Sequence, residues 1–301
     1  MDSVINWLAK PFELNFLQNA LLEMLLISLL AGVVGSFVVL RGMAFIVDGL
    51  SHAILPGIAV AFLLNGSIFW GALVAALLVS GSVALTGRNQ LVGEDSAVGI
   101  TFTGAFAVGV IIIARISTKG RNLNDILFGQ LFAVQASDLL QTLLVSALVV
   151  LAILALGKEL LFASFDSGMA RASGYKTLWL DLVIHVAVAL TVVVALPAVG
   201  NILVLAFLIT PAATARLFTD RFYRMVGLAV LIAFLTGLSG IYLSYYLNIA
   251  GGGATVVVVG TILFLLALIF SPRYGALNWL INRWWVQRKF QVDWQAPATR
   301  E

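Results

Sequence analysis

Long apolar runs constrain this chain more than any other feature of its sequence. Eight such runs lie at about 17–40, 46–64, 68–86, 97–114, 139–163, 178–196, 226–247 and 254–270. About 20 consecutive apolar residues in a helix cross a bilayer core, and inside lipid a helix satisfies its own backbone hydrogen bonds. The sequence therefore predicts an all-α polytopic membrane protein with about eight transmembrane helices and both termini on one side.

Composition excludes several classes of protein. Hydrophobic residues make up 61% of the chain and charged residues 10%, which a soluble domain could not solvate. There is no cysteine, so thiolate sites are excluded and any metal must be bound by His, Asp, Glu or backbone oxygen. The basic residues are scattered and form no patch for a nucleic acid. No separable signal peptide is evident, so the first run is expected to stay in the protein.

The distribution of Lys and Arg predicts an orientation. With both termini in the cytoplasm, twelve of the 17 basic residues fall inside and five outside, as the positive-inside rule favours. This arrangement predicts a permease domain at 1–272 and a cytoplasmic tail at 273–301. The tail alternates Trp279, Trp284 and Trp285 with basic residues, a pattern typical of an interfacial helix on the membrane.

The segment 199–222 allows two interpretations. Pro211 and the small residues after it suit a short helix–turn–helix at the membrane face, in which Pro211 interrupts the helix. They also suit a Pro-kinked transmembrane helix, which would be a ninth crossing. The charge count favours the folded-back cytoplasmic element, because a ninth crossing would send the N-terminus out.

Two Asp–His pairs are the candidate metal ligands. The only histidines in the sequence, His52 and His185, each follow an aspartate by four residues, Asp48 and Asp181. This spacing places carboxylate and imidazole on one helix face, where both can bind one cation such as zinc, manganese or ferrous iron. The alternative is that each aspartate only pairs with its own histidine. Glu23, alone in the first run, is interpreted as a packing or gating contact.

Five ordered blocks resemble the permeases of manganese, zinc and iron importers of the ATP-binding-cassette class. They are LRGMAFIVDGLSHAILPGIAVAF (40–62), GEDSAVGITFTGAFAVGVIII (93–113), NDILFGQLFAV (124–134), SGMARASGY (167–175) and ILVLAFLITPAATARLF (202–218). The resemblance extends in collinear order over about 16–272.

The resemblance implies partners and residue roles. It implies a permease of eight spans in the bacterial inner membrane that pairs with a second permease copy, two cytoplasmic ATPase subunits and an extracytoplasmic metal-binding protein. It assigns the metal pathway to Asp48 and His52, and ATPase coupling to Thr210, Pro211, Ala212, Ala213 and Thr214. Asp181 and His185 belong to no block and rest on spacing alone.

The expected activity is transport by alternating access, with a divalent metal ion as cargo and no permanent cofactor. The chain has no Walker A loop, so ATP hydrolysis is expected on a separate subunit. A permease for a siderophore or corrinoid chelate would not need Asp48 and His52. A gradient-driven secondary transporter would use broken helices at the midplane. An intramembrane metalloprotease lacks its HExxH motif here.

Overall fold

A computed structural model describes residues 13–87, 93–116, 129–247 and 252–271. These residues form eleven α-helices and one short 3₁₀ helix, Leu131–Ala133. The α-helices are α1 (Asn15–Arg41), α2 (Ala44–Ala53), α3 (Leu55–Leu63), α4 (Ile68–Thr86), α5 (Glu94–Ile116), α6 (Ala136–Phe165), α7 (Ser167–Ala172), α8 (Thr177–Val199), α9 (Val204–Phe218), α10 (Phe222–Leu247) and α11 (Gly252–Phe270).

The predicted all-α fold and the eight spans are confirmed. Eight helical stretches are long and apolar enough to cross a membrane, and α2 and α3 together make one of them. No strand occurs in the four described ranges. The predicted tail at 273–301 and the first part of the 124–134 block lie outside the described residues.

The second span is broken at Ile54, although the sequence predicted one continuous helix. Pro56 stands at the start of α3 and has no N–H to donate to the carbonyl of His52, four residues earlier. The helix therefore ends at Ala53, the residue after His52, and a new helix starts at Leu55. This break lies next to the candidate metal residues and positions them at the end of α2.

Helices α1 and α10 pack antiparallel. The ring of Phe37, near the end of α1, lies 4.7 Å from the ring of Phe222 at the start of α10. Further along, Gly237 of α10 packs against Met24 of α1. At the end of α11, the Ser271 hydroxyl donates to the carbonyl of Leu217, close to Phe222. The described chain therefore begins at one end of the bundle and finishes at the other.

The side on which each terminus lies stays a prediction, because residues 1–12 and 272–301 are outside the described ranges, but the described chain passes through the bundle an odd number of times. The cause is α9, which runs back through the bundle between α8 and α10. The prediction of a helix–turn–helix at the membrane face is wrong, because α9 is one continuous helix with Pro211 inside it. A proline inside a membrane helix is tolerated where neighbouring helices pack around the backbone that it disrupts. Here α1 packs closely against α9 just before Pro211, since a Cβ on Gly35 would collide with the carbonyl of Leu208.

Basic residues are concentrated at one end of the bundle. Seven described ones lie at the end where α1 finishes, or within the last turns leading to it: Arg41, Lys158, Arg171, Lys176, Arg216, Arg221 and Arg224. Among the described residues only Arg115 lies at the opposite end, where α1 begins. We call these the basic end and the opposite end.

Candidate functional site

Asp48 and His52 share one face of α2, as their spacing predicts. Oδ1 of Asp48 lies 3.9 Å from Nε2 of His52, and their side chains are 43% and 28% exposed. The hydroxyl of Ser51 donates to the backbone carbonyl of Asp48, so it leaves the carboxylate available. Both side chains of the pair are therefore partly accessible.

The residue that sequence reasoning missed is Asn201. Its side-chain nitrogen Nδ2 lies 3.2 Å from Nδ1 of His52, 149 residues away in the sequence, and the residue is 1% exposed. It stands in the turn between α8 and α9. A polar residue between two apolar helices was the available signal, but only tertiary structure shows which side chain it meets.

Glycines hold that turn in place. Gly200 has φ +89°, a conformation that residues with a Cβ rarely adopt. A Cβ on Gly129 would lie 2.5 Å from the backbone nitrogen of Gly200, so the two segments touch through backbone alone. The N–H of Gln130 donates to the carbonyl of Pro197 at 2.8 Å. Asn201 is therefore presented to His52 from a fixed backbone.

Two phenylalanines of α5 cover the imidazole of His52. The rings of Phe102 and Phe106 lie 5.6 Å and 6.0 Å from it, the second edge-on at 87°. Their spacing of four residues puts both on one face of α5. Val98 and Gly49 bring the helices together, since a Cβ on Gly49 would lie 2.7 Å from Cγ1 of Val98. The aromatic pair restricts rotation of the ring.

The arrangement suits a small cation bound by nitrogen and oxygen. Two metal–ligand bonds of about 2.1 Å span the 3.9 Å between Nε2 and Oδ1 at a wide angle. In the described part of the chain, no three His, Cys, Asp or Glu side chains converge. Asp48 and His52 alone would bind an ion weakly and exchange it readily.

Asp181 and His185 are arranged differently from the first pair. The carboxylate Oδ1 of Asp181 lies 2.8 Å from Nη1 of Arg41, and Nε of Arg41 donates to the hydroxyl of Ser164. Nδ1 of His185 lies 2.8 Å from the backbone carbonyl of Asp181, and the imidazole is 2% exposed. The metal role of this pair remains a prediction; the carboxylate already has a cationic partner.

The predicted coupling residues lie in the middle of α9. Pro211, Ala212 and Thr214 are buried, whereas Thr210 and Ala213 are half-buried. The hydroxyl of Thr214 donates to the carbonyl of Thr210, as is common for a threonine inside a helix. The coupling role also remains a prediction, and the buried side chains face other helices of the same chain.

Glu23 lies inside the bundle and is 1% exposed. The hydroxyl of Thr142 on α6 donates to its Oε1 at 2.8 Å. No partner for Glu23 stands at helical spacing in the sequence, because the partner comes from another helix. The contact is consistent with the packing role expected of Glu23.

Comparison with known proteins adds a family to this geometry. Residues 13–271 match the model of the ABC 3 transport family. The chain is 39% identical over 285 residues to the manganese transport system membrane protein MntC of Halalkalibacterium halodurans, covering 95% of this chain and 96% of that one. It is 34% identical to a probable iron transport system membrane protein of Haemophilus influenzae, covering 89% and 98%.

A solved structure shares both the fold and a third of the sequence. It is PsaBC from Streptococcus pneumoniae in complex with a Fab, matched with a TM-score of 0.80 and 34% identity. The match covers 91% of this chain and 99% of the other.

Proposed function

This chain belongs to the ABC 3 transport family, and from that premise we propose that it is the permease of an ATP-driven manganese importer. It is a multi-pass protein of the bacterial inner membrane and acts as a transport subunit rather than a catalyst. Relatives described as manganese transport proteins favour manganese as the cargo. The iron-transport relative keeps ferrous iron as a second candidate, and zinc fits the same nitrogen and oxygen donors.

The observation that carries the proposal is the Asp48–His52 pair in the broken second span. Ionisable side chains at membrane depth are costly and usually lie on a substrate pathway. Carboxylate and imidazole suit divalent transition metals, and their 3.9 Å separation admits one ion. A siderophore or corrinoid permease would have no use for this pair.

We further propose that the basic end faces the cytoplasm. Cytoplasmic segments of membrane proteins carry an excess of Lys and Arg, and the described basic residues divide seven to one in favour of that end. Residues 13 and 14 then lie toward the outside, and the end of α11 lies toward the cytoplasm. The metal arrives from the opposite end of the bundle, meets His52 first and leaves past Asp48.

The partners follow from the family and from the exposed site. Most side chains of α5, beside the metal pair, are exposed in a single copy, and a second permease copy packed there would enclose the pathway. This chain has no Walker A loop, so two cytoplasmic ATPase subunits hydrolyse ATP and supply the energy for transport. A metal-binding protein outside the membrane delivers the ion.

Reconstitution tests the proposal. The permease with its ATPase and binding protein in proteoliposomes is expected to take up radioactive Mn²⁺ only when ATP is present. Asp48→Ala and His52→Ala should each reduce uptake to background, because removing one ligand from a site with few ligands destroys affinity. Asp95→Ala, an exposed carboxylate at the start of α5, serves as the matched control.

Two results would contradict the proposal. Uptake by the permease alone, driven by a proton or sodium gradient, would identify a secondary transporter. Uptake at the parental rate by His52→Ala would remove His52 from the metal pathway.

A further inference from the structure

The two ring nitrogens of His52 meet different neighbours. Nε2 faces the carboxylate of Asp48 at 3.9 Å, and Nδ1 faces the amide nitrogen of Asn201 at 3.2 Å. A neutral imidazole carries a proton on one nitrogen and a lone pair on the other. The neighbours therefore decide which nitrogen can bind a metal.

With the amide nitrogen of Asn201 toward His52, metal is kept off Nε2. An amide nitrogen only donates hydrogen bonds, so Nδ2 of Asn201 donates to the lone pair of Nδ1 of His52. The ring proton then resides on Nε2, where the carboxylate of Asp48 attracts it. A metal beside Asp48 needs the lone pair of Nε2, so this orientation belongs to an empty site.

The other orientation of the same amide has the opposite effect. Oδ1 of Asn201 is buried and has no hydrogen-bond partner among the described residues. A half-turn about the last side-chain bond exchanges oxygen and nitrogen, which have nearly the same shape. Oδ1 would then accept the proton of Nδ1 and leave the lone pair on Nε2, directed at the space beside Asp48.

We propose that Asn201 is a positioning residue that switches the tautomer of His52: its amide donates to Nδ1 in the empty site and accepts from Nδ1 when metal binds Nε2. This inference rests on the proposed metal role of His52. Phe102 and Phe106 hold the ring, and the turn at Gly200 holds the backbone of Asn201. Rotation of the amide group is the smallest movement that changes the tautomer.

The two histidines make the tautomer directly measurable. The full-length permease, purified without a histidine tag in lipid nanodiscs, contains only His52 and His185. In ¹⁵N-histidine spectra, protonated, lone-pair and metal-bound ring nitrogens have separate shifts. His185 is an internal reference, because the carbonyl of Asp181 can only accept and so keeps the proton on Nδ1. His52→Gln assigns the signals.

The spectra are recorded at alkaline pH, and the expected patterns are distinct. Without metal, His52 should carry its proton on Nε2 while His185 carries it on Nδ1. Zn²⁺, a diamagnetic probe, should bind Nε2 of His52 and move the proton to Nδ1. Asn201→Asp, which can only accept, should give the Nδ1–H form before any metal is added. Asn201→Leu should lower Zn²⁺ affinity about 10- to 100-fold.

Several outcomes would overturn the proposal. They are Zn²⁺ on Nδ1, an Asn201→Asp spectrum identical to that of the parent, or unchanged Zn²⁺ affinity in Asn201→Leu. The His185 signal reports folding; if Asn201→Leu loses it, Asn201→Ala is measured instead. If the parent binds no Zn²⁺, the proposed metal role fails, whereas the effect of Asn201→Asp on the tautomer is still read from the metal-free spectrum.

Discussion

Arg41 at the end of α1 and Asp181 in the second turn of α8 form an ion pair, with Nη1 and Oδ1 2.8 Å apart. Arg41 is largely buried, and its Nε also donates to Ser164 of α6. The pair therefore connects three helices at the basic end of the bundle. It also gives Asp181 a structural role that Asp48 does not share.

The two aspartates should consequently respond in opposite ways to loss of charge. Asp181→Asn leaves a buried guanidinium without its counter-ion, at a cost of about 3 kcal/mol, so the thermal midpoint of the detergent-solubilised protein should fall. Its Mn²⁺ affinity, measured by titration calorimetry, should stay within about twofold. Asp48→Asn should lose affinity at an unchanged midpoint. Equal loss of affinity in both variants would place Asp181 on the metal pathway.

The orientation can be tested with a membrane-impermeant maleimide, because the chain has no cysteine of its own. Ser67 lies exposed between α3 and α4 at the opposite end, and Ser173 lies exposed between α7 and α8 at the basic end. In intact cells Ser67→Cys should be labelled, whereas Ser173→Cys should react only after permeabilisation. The reverse pattern would place the basic end outside.

Packing of the broken second span against α4 depends on two glycines. A Cβ on Gly71 would collide with the carbonyl of Gly57, whereas a Cβ on Gly81 of the same helix would meet no atom of the described residues within 4 Å. Gly71→Ala should destabilise the protein by about 2 kcal/mol, and Gly81→Ala should be neutral. Thermal unfolding followed by circular dichroism compares the two. Equal unfolding midpoints for Gly71→Ala and Gly81→Ala would mean that α3 and α4 can move apart at little cost in stability.

The predicted coupling block can be divided by burial. Ala212 is fully buried beside Gly35 of α1, and Ala213 is half-buried. Ala212→Leu should lower stability by about 2 kcal/mol through overpacking, while Ala213→Leu should fold normally. If Ala213 contacts the ATPase, its leucine variant should keep ATP hydrolysis and lose uptake. Normal coupled uptake by Ala213→Leu would leave the block a packing element only.

Hydrophobic length identified the helices, since the eight predicted spans overlap the eight observed ones within a few residues at each end. It could not decide the path of 204–218, because a helix of 15 residues lies between a surface element and a span in length. The proposed orientation differs from the predicted one because α9 adds a pass through the bundle. Helical spacing likewise found Asp48 and His52 but could not find Asn201 or the partner of Asp181, since both contacts join distant parts of the chain.

The shortness of α9 has a consequence for the turn before it. At 1.5 Å per residue its 15 residues extend about 22 Å, less than the roughly 30 Å of a hydrocarbon core. Its first turns pair with the second half of α1, where Leu208 meets Gly35, so the turn that carries Asn201 begins at membrane depth. Irregular backbone is stable there only against protein or water, and the burial of Asn201 shows that neighbouring helices cover this turn.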